Sequence, residues 1–366
     1  MSPTVGPAVQ EVLNSGFIGQ GKKVDEFEEI LKDWIGNQYT LTTNNATSAE
    51  HLALHLMKKQ NKAKDGDEIL CTPLTCTATN WPVLANNLKI KWVDIDPRNL
   101  NMDLDDLARK ITPKTKGIML VHWGGYPVDL KRLDEILNNT ENMYGFRPFV
   151  IEDCAHSFGS TFLGKKMGNH GNICTYSFQA IKTLTCGDGG ALVLQDQDSY
   201  DNCKLMRWYG IDREDNSKDF RCEKDIENWG FKFHMNDINA TIGIENTKIT
   251  DSVISRHKDN AKYYDKNLKN ISGITLTERD SRMDSSFWIY SMLVEDRDGF
   301  MKKMKECEIM VSQVHERNDK HSCVREFRSQ LPNLESVIPN LISIPVGFWV
   351  KNYDREYVVE KIREGW

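Results

Sequence analysis

The sequence predicts an α/β fold, a mostly parallel sheet flanked by helices, followed by a smaller C-terminal α+β domain. Seven short runs rich in β-branched, aromatic and other apolar residues recur through the first two thirds of the chain. Helical patterns separate several of them, and strands that alternate with helices imply a parallel sheet covered on both faces. After about residue 245 the texture changes to a long polar helix, one strand-like run and two more helices. A chain of 366 residues has room for two domains at roughly 100–200 residues each. The change of texture places them at 1–245 and 246–366.

The seven runs are YTLTTN (39–44), EILCTP (68–73), IKWVDI (90–95), GIMLVHW (117–123), PFVIED (148–153), ICTYSF (173–178) and GGALVL (189–194). Between them, Val24, Phe27, Leu31 and Trp34 recur at three- and four-residue steps, the spacing of an amphipathic helix. Leu130, Leu133, Ile136 and Leu137 do the same within 129–140. Beyond the boundary, 251–270 predicts a long polar helix and FWIYSMLVE (287–295) a strand. Residues 297–308 and the closing YDREYVVEKIREGW predict helices, and GIDREDNSKD (210–219) an exposed loop.

Composition excludes several classes. Lys and Arg number 47 against 53 Asp and Glu, a formal charge of −6, with no basic cluster interleaved with aromatics, so no nucleic-acid partner is expected. No run of 18 apolar residues spans a membrane, and the N-terminus lacks the charged and apolar regions of a signal peptide. Nine cysteines, an odd number scattered from Cys71 to Cys323 without a C-x-x-C pair, read as reduced thiols of a cytoplasmic protein.

Three junctions carry chemistry. In TTNNATSAEHLALHLMKK (42–59) a strand ends near Asn44 and an apolar-periodic helix begins near Ser48. The free N–H groups of such a helix start, from Asn45 to Ser48, suit a phosphate; the plain alternative is an N-cap made by Thr47. In PFVIEDCAHS an apolar strand delivers Asp153 to its carboxyl end, where open α/β sheets bind ligands; the alternative is a solvated loop carboxylate. In TYSFQAIKTLTCGDGG (175–190), Lys182 sits between a buried-looking strand and a glycine turn. Burial there lowers an ammonium's pKa and makes the amine a nucleophile. Together, a phosphate-holding helix start, an acid and a nucleophilic lysine are what pyridoxal phosphate requires.

The segments GFIGQGKKVDEFE, NNATSAEHLAL, KWVDIDPRNLNMD, VIEDCAHSFGS, YSFQAIKTLTCGDGGALV, GFKFHMNDINATIG and ISIPVGFWV occur in this order along nearly the whole chain. In them the chain resembles the DegT/DnrJ/EryC1/StrS family of sugar aminotransferases. The resemblance implies the aspartate-aminotransferase-like fold (PLP fold type I) with a seven-stranded sheet. It makes Lys182 the lysine that bonds the cofactor aldehyde and Asp153 the partner of the pyridinium nitrogen. His156 falls near the phenolic oxygen, and Ala46, Thr47 and Ser177 at the phosphate. Where the family has Ser-Gly-Thr this chain has Asn45-Ala46-Thr47, and Cys76, with Trp81 nearby, stands where an aromatic commonly stacks on the ring. The resemblance also implies a homodimer with shared active sites, in which Lys232 reaches the partner's phosphate.

Within the family, Lys232, VHERND (314–319) and WYGIDR (208–213) look like the enzymes that aminate nucleotide-linked 4-keto-6-deoxyhexoses to viosamine- and perosamine-type sugars, with glutamate as donor. Trp123, His315, Arg317 and Asn318 are then candidate substrate contacts; for Trp123 and Tyr126 a core or turn role stands equal, and for His315, Arg317 and Asn318 a solvated loop. A 3-keto sugar nucleotide or an inosose is the alternative acceptor. A dehydratase has histidine in place of the lysine, and a non-catalytic regulator has no use for the Asp153–Lys182 pair. No metal site is expected: His51 and His55 lie four apart on a helix, but no Glu follows the first as in a zincin. The acidic VDIDPRNLNMDLDD lacks the glycine and terminal Glu of a calcium loop and reads as a strand, a turn and a helix start.

Overall fold

The computed structural model describes residues 1–214 and 225–366. All seven runs form strands of one sheet. They are β1 (Thr40–Thr43), β2 (Glu68–Cys71), β3 (Lys89–Trp92), β4 (Thr115–Val121), β5 (Phe149–Asp153), β8 (Ile173–Ser177) and β9 (Gly190–Val193), in the spatial order β1-β9-β8-β5-β4-β2-β3. The run from β3 to β8 is parallel, and β9 is antiparallel to both its neighbours. A small hairpin, β6 (Thr161–Phe162) and β7 (Lys165–Lys166), lies between β5 and β8.

Both faces of the sheet are buried, which is why its strands read as near-continuous apolar runs. Along β4, Ile118 and Leu120 enter the core beneath α2 (Lys22–Ile35) and α6 (Leu130–Tyr144). Met119 points the other way, into the core under α3 (Ala46–Lys59) and α4 (Thr77–Ala85). Each leucine or isoleucine so buried contributes about 1.5–3 kcal/mol. Helices α1 (Val5–Ser15), α5 (Leu104–Lys110) and α7 (Gln197–Met206) complete this part.

The long polar helix is longer than the sequence suggests. α8 runs over 32 residues, Asp237–Leu268, capped by the Asn236 side chain on the Asn239 N–H, rather than starting near 251. Its first turns, DINATIGIENTKIT, are rich in Asn, Thr and Ile and contain Gly243, all poor helix formers. Packing overrides propensity: a Cβ on Gly243 would stand 2.6 Å from both the Phe27 ring and the Cys186 sulfur. The 245/246 boundary falls inside this helix.

Past α8, strands β10 (Ile274–Leu276), β12 (Tyr290–Val294) and β13 (Leu341–Ile344) form a three-stranded antiparallel sheet. It packs with α9 (Arg297–Glu306), α11 (Asn352–Arg363) and the end of α8 around Tyr264, Met292, Phe300 and Ile342. This region is laced back onto the first. β11 (Met283–Asp284) pairs with β6, and α10 (Pro332–Val337) buries Leu334 and Val337 in the core beside α3. Among the described residues no helix is long and apolar enough to cross a membrane. Cys71, Cys154, Cys174, Cys186 and Cys203 are buried free thiols. In the predicted exposed loop, Asp212 and Glu214 are exposed; residues 215–219 lie outside the described residues.

Candidate active site

Lys182 stands on a tight excursion between β8 and β9. The excursion is closed at its base by Phe178 N–H on Gly189 O (2.8 Å) and Cys186 N–H on Phe178 O (2.8 Å), and inside it by Lys182 N–H on Gln179 O (2.9 Å). The loop throws the side chain back over the carboxyl end of the sheet. Burial pushes its ammonium down to about 8, against the pull of Asp153, Cys76 and Glu50. The Nζ lies over the face of Trp288, 3.7 Å from the ring centre. The Trp288 Nε1 donates to the carbonyl of Ile181 (2.9 Å).

Asp153 ends β5, the strand beside β8. Its Oδ1 accepts the Ala155 N–H (2.9 Å) and its Oδ2 the Thr79 hydroxyl (2.7 Å). Thr79 thereby spends its proton, so in the Thr75–Thr79 contact (2.8 Å) Thr75 donates. Glu50, one turn into α3, is 1% exposed and within hydrogen-bonding reach of Asp153.

The helix start differs in detail from the sequence reading. α3 begins at Ala46, not near Ser48, and its cap is Asn45, whose Oδ1 accepts the Ser48 N–H at 2.8 Å; Thr47 does not cap it. That leaves the first-turn N–H groups of Ala46 and Thr47 and the exposed Thr47 hydroxyl for a ligand. Ser177 pairs directly with Gly190. A Cβ on Gly190 would meet the Asn45 carbonyl carbon at 2.5 Å and the Ala46 nitrogen at 2.6 Å. The glycine lets strand and helix start touch, and so brings Ser177 beside Ala46.

His156 stacks on Trp288 (4.0 Å between ring centres, 26°) and faces His315 in parallel (5.5 Å, 7°), with the Trp123 ring edge-on to both. Burial holds His156 well below the usual histidine range and lowers His315 to about 4, so both are neutral. His156 Nδ1 accepts the Gly124 N–H (3.3 Å), which leaves the proton on Nε2.

The remaining candidates divide. Cys76 stands just before α4, near Lys182 and Glu50, whereas the Trp81 ring turns to His321. Asn318 is fully buried and struts the Pro73–Cys76 turn through its N–H on Pro73 O (2.8 Å) and Nδ2 on Cys76 O (3.2 Å). Arg317 is gripped by Asp319 in two bonds of 2.7 and 2.6 Å. Trp123 is buried, its Nε1 on Ser291 Oγ (3.1 Å), and the Tyr126 hydroxyl accepts the Asp280 N–H (2.8 Å). Lys232 lies on the segment whose backbone holds Asn44. His51 and His55 pack against Phe231. His122, Glu152 and Cys154 lie close enough to hold a metal. They are instead bonded among themselves and their neighbours: His122 Nδ1 accepts the Val128 N–H (3.0 Å), Nε2–H donates to Glu152 (2.9 Å), and Asn172 donates to the other Glu152 oxygen (2.6 Å).

Sequence patterns alone missed Glu50, Thr79 and Trp288. Glu50 carried a signal: an acid on the same helix face as Ala46, Ala49 and Ala53, all of them buried. Trp288 carried none, because its contacts with His156, Ile181 and Lys182 cross more than a hundred residues of chain.

The donor set fits pyridoxal phosphate. It combines a buried amine, an aspartate held by two donors, free N–H groups at a helix start, and a buried Glu50 Oε2 without a partner among the described residues. Fold and site define a pyridoxal phosphate-dependent enzyme of the aspartate-aminotransferase-like fold. The model of the DegT/DnrJ/EryC1/StrS aminotransferase family matches residues 3–363, and the chain belongs to that family. It is 45% identical to the sugar aminotransferase CalS13 from Micromonospora echinospora, with a TM-score of 0.95 over 100% of this chain and 98% of that one. It is 33% identical to GDP-perosamine synthase of Escherichia coli O157:H7, over 78% of this chain and 73% of the relative. It is 30% identical to UDP-4-amino-4,6-dideoxy-N-acetyl-beta-L-altrosamine transaminase of Campylobacter jejuni, again over 78% and 73%. The protein is a pyridoxal phosphate-dependent sugar-nucleotide aminotransferase.

Proposed function

We propose that the chain moves an amino group from glutamate to the C4 keto group of a nucleotide-linked 4-keto-6-deoxyhexose. The observation that carries the chemistry is Lys182, a buried amine lowered to about 8 beside Asp153. The position of amination is supported by the relatives named for perosamine, GDP-linked, and for a 4-amino-4,6-dideoxy sugar, UDP-linked.

When bound, the cofactor supplies an aldehyde that bonds amines and a ring that accepts the electron pair left by proton removal. The chain supplies the rest. Ala46, Thr47 and Ser177 would hold the phosphate, joined by Lys232 from a second copy in a homodimer. Asp153, held by the Thr79 hydroxyl and the Ala155 N–H, would face the ring nitrogen and hold its proton. Lys182 Nζ takes the proton from the amine-bearing carbon of the donor amino acid; in the second half of the cycle the same atom gives a proton to C4 of the sugar. His156 would lie beside the ring, with its proton on Nε2. His315 and Trp123, packed around it, line the sugar side, while Arg317 and Asn318 shape the wall through Asp319 and the Pro73–Cys76 turn.

The test offers purified protein, pyridoxal phosphate and glutamate with dTDP-, UDP- and GDP-linked 4-keto-6-deoxyhexoses, and identifies the product by mass and NMR. An amine on C4 of one of them, lost in Lys182→Ala, is expected. Amination only at C3, or only of a cyclic ketone such as an inosose, overturns the assignment.

A further inference from the structure

We propose that Glu50 is a positioning residue that acts through Asp153: a carboxylic acid whose O–H donates to the Asp153 carboxylate and limits how strongly that carboxylate holds the proton of the ring nitrogen. Four observations place it there. Glu50 projects from the first turns of α3, the helix whose start would hold the phosphate, and is 1% exposed. Its carboxyl is within hydrogen-bonding reach of Asp153. Its Oε2 has no partner among the described residues. Asp153 already accepts from Thr79 Oγ1 and Ala155 N.

Two carboxylates in contact do not both ionise; one keeps a proton. Asp153 has two donors that favour its charge. Glu50 has none on Oε2, and the groups that face it are Asp153 from β5, Cys76 at the head of α4 and Lys182 from the loop after β8. Burial first, and then the charge of Asp153, raise Glu50 well above the ordinary carboxyl range, with Lys182 only partly opposing. The proton therefore resides on Glu50. A hydrogen bond donated to a carboxylate draws charge off it, so Asp153 binds the ring proton less tightly than an aspartate without this neighbour.

The cofactor-free protein gives the first readout. Infrared difference spectra at pH 7 between the wild type and Glu50→Gln should show one protonated-carboxyl band, present in the wild type and lost in the variant. The second readout uses protein loaded with pyridoxal phosphate carrying ¹⁵N in the ring. Glu50→Leu, which removes the donor at similar volume, should raise the pH at which the ring nitrogen loses its proton by on the order of one unit. Glu50→Gln, which keeps an N–H donor, should leave it near the wild-type value. Absence of the carboxyl band, or the same ring titration in Glu50→Leu as in the wild type, overturns the proposal. The target ring is that of the function proposed above, yet neither readout needs sugar turnover. A protein that binds the cofactor but aminates no 4-keto sugar would sink that function and leave the Glu50 result standing.

Discussion

The ammonium of Lys182 lies over the indole face of Trp288 at 3.7 Å, and the indole N–H of Trp288 is bonded to the residue just before that lysine. One side chain thus fixes the loop and faces its charge. Burial favours the amine of Lys182, and the π face, together with Asp153, Cys76 and Glu50, favours the ammonium.

Replacing Trp288 by leucine removes the π face. A desolvated cation–π contact is worth about 1–2 kcal/mol, so the Lys182 titration should fall by about one pH unit from about 8. The rate at which cofactor-free protein combines with pyridoxal phosphate, followed by absorbance against pH, reports the free amine. Its midpoint should move to lower pH in Trp288→Leu. A midpoint that stays in place while the protein merely loses stability would reduce Trp288 to a filler of space.

Lys182 should also weaken the protein that carries it. Its folded pKa, about 8, lies below the ordinary 10.5, so between these values the unfolded chain binds more protons. Stability contributed at this position therefore rises with pH across that window, and the penalty is full below it. Lys182→Met removes the penalty. Without cofactor, thermal unfolding should show the variant more stable than the wild type at pH 7, with the gap narrowing towards pH 10. Equal stability at pH 7 would contradict the burial of the amine.

Gly190 is the contact point between β9 and the start of α3. Gly190→Ala forces a methyl group to within 2.5 Å of the Asn45 backbone, an overpacking that costs about 1–3 kcal/mol. It should also loosen the helix start and weaken cofactor binding by about tenfold, the equivalent of ~1.4 kcal/mol. Gly6→Ala, with open space around it in α1, serves as the control and should leave binding unchanged. Equilibrium dialysis of both variants decides.

The seven strands were legible because a sheet covered on both faces favours β-branched and apolar residues: β2, β4, β5 and β9 carry apolar runs, and β1 (TLTT), β3 (KIKW) and β8 (ICTYS) are rich in β-branched and aromatic residues. Lys182 and Asp153 stood out because a charge directly after such a run has to be accounted for. The first half of α8 was not legible. Its Asn, Thr and Gly residues are held helical by Phe27 and Cys186, which lie far off in sequence. Nor did the run FWIYSMLVE distinguish Trp288, which reaches the site, from Tyr290 and Met292, which pack inside the smaller sheet. Local pattern specifies which face of an element is apolar, but not what stands opposite.

The strand that leads into the helix start is braced by a buried ion pair. Arg207, 2% exposed, bonds Glu28, 5% exposed, and its Nη1 also donates to the carbonyl of Thr42 (2.8 Å). Glu28 in turn accepts the Thr42 N–H (2.8 Å) and hydroxyl (2.7 Å). Burial raises the Glu28 carboxyl, but Arg207 and then Thr42 outweigh it, and the folded value lies below the ordinary 4.5. In the wild type this group adds stability above pH 4.5, lost as the pH falls through its lowered value. Arg207→Met leaves the carboxylate buried without its cation and should cost about 3–5 kcal/mol near neutral pH. The sign then reverses: burial, which Thr42 without Arg207 only partly offsets, raises the Glu28 pKa, and the variant loses stability as the pH rises above 4.5. The gap between wild type and variant should therefore be smallest near pH 4 and widest near pH 7 in denaturant unfolding. Glu28→Met combined with Arg207→Met should lose less than the sum of the two single changes, because an apolar pair leaves no charge stranded. A gap that does not change with pH would show that Arg207 acts here by packing, and not by its charge.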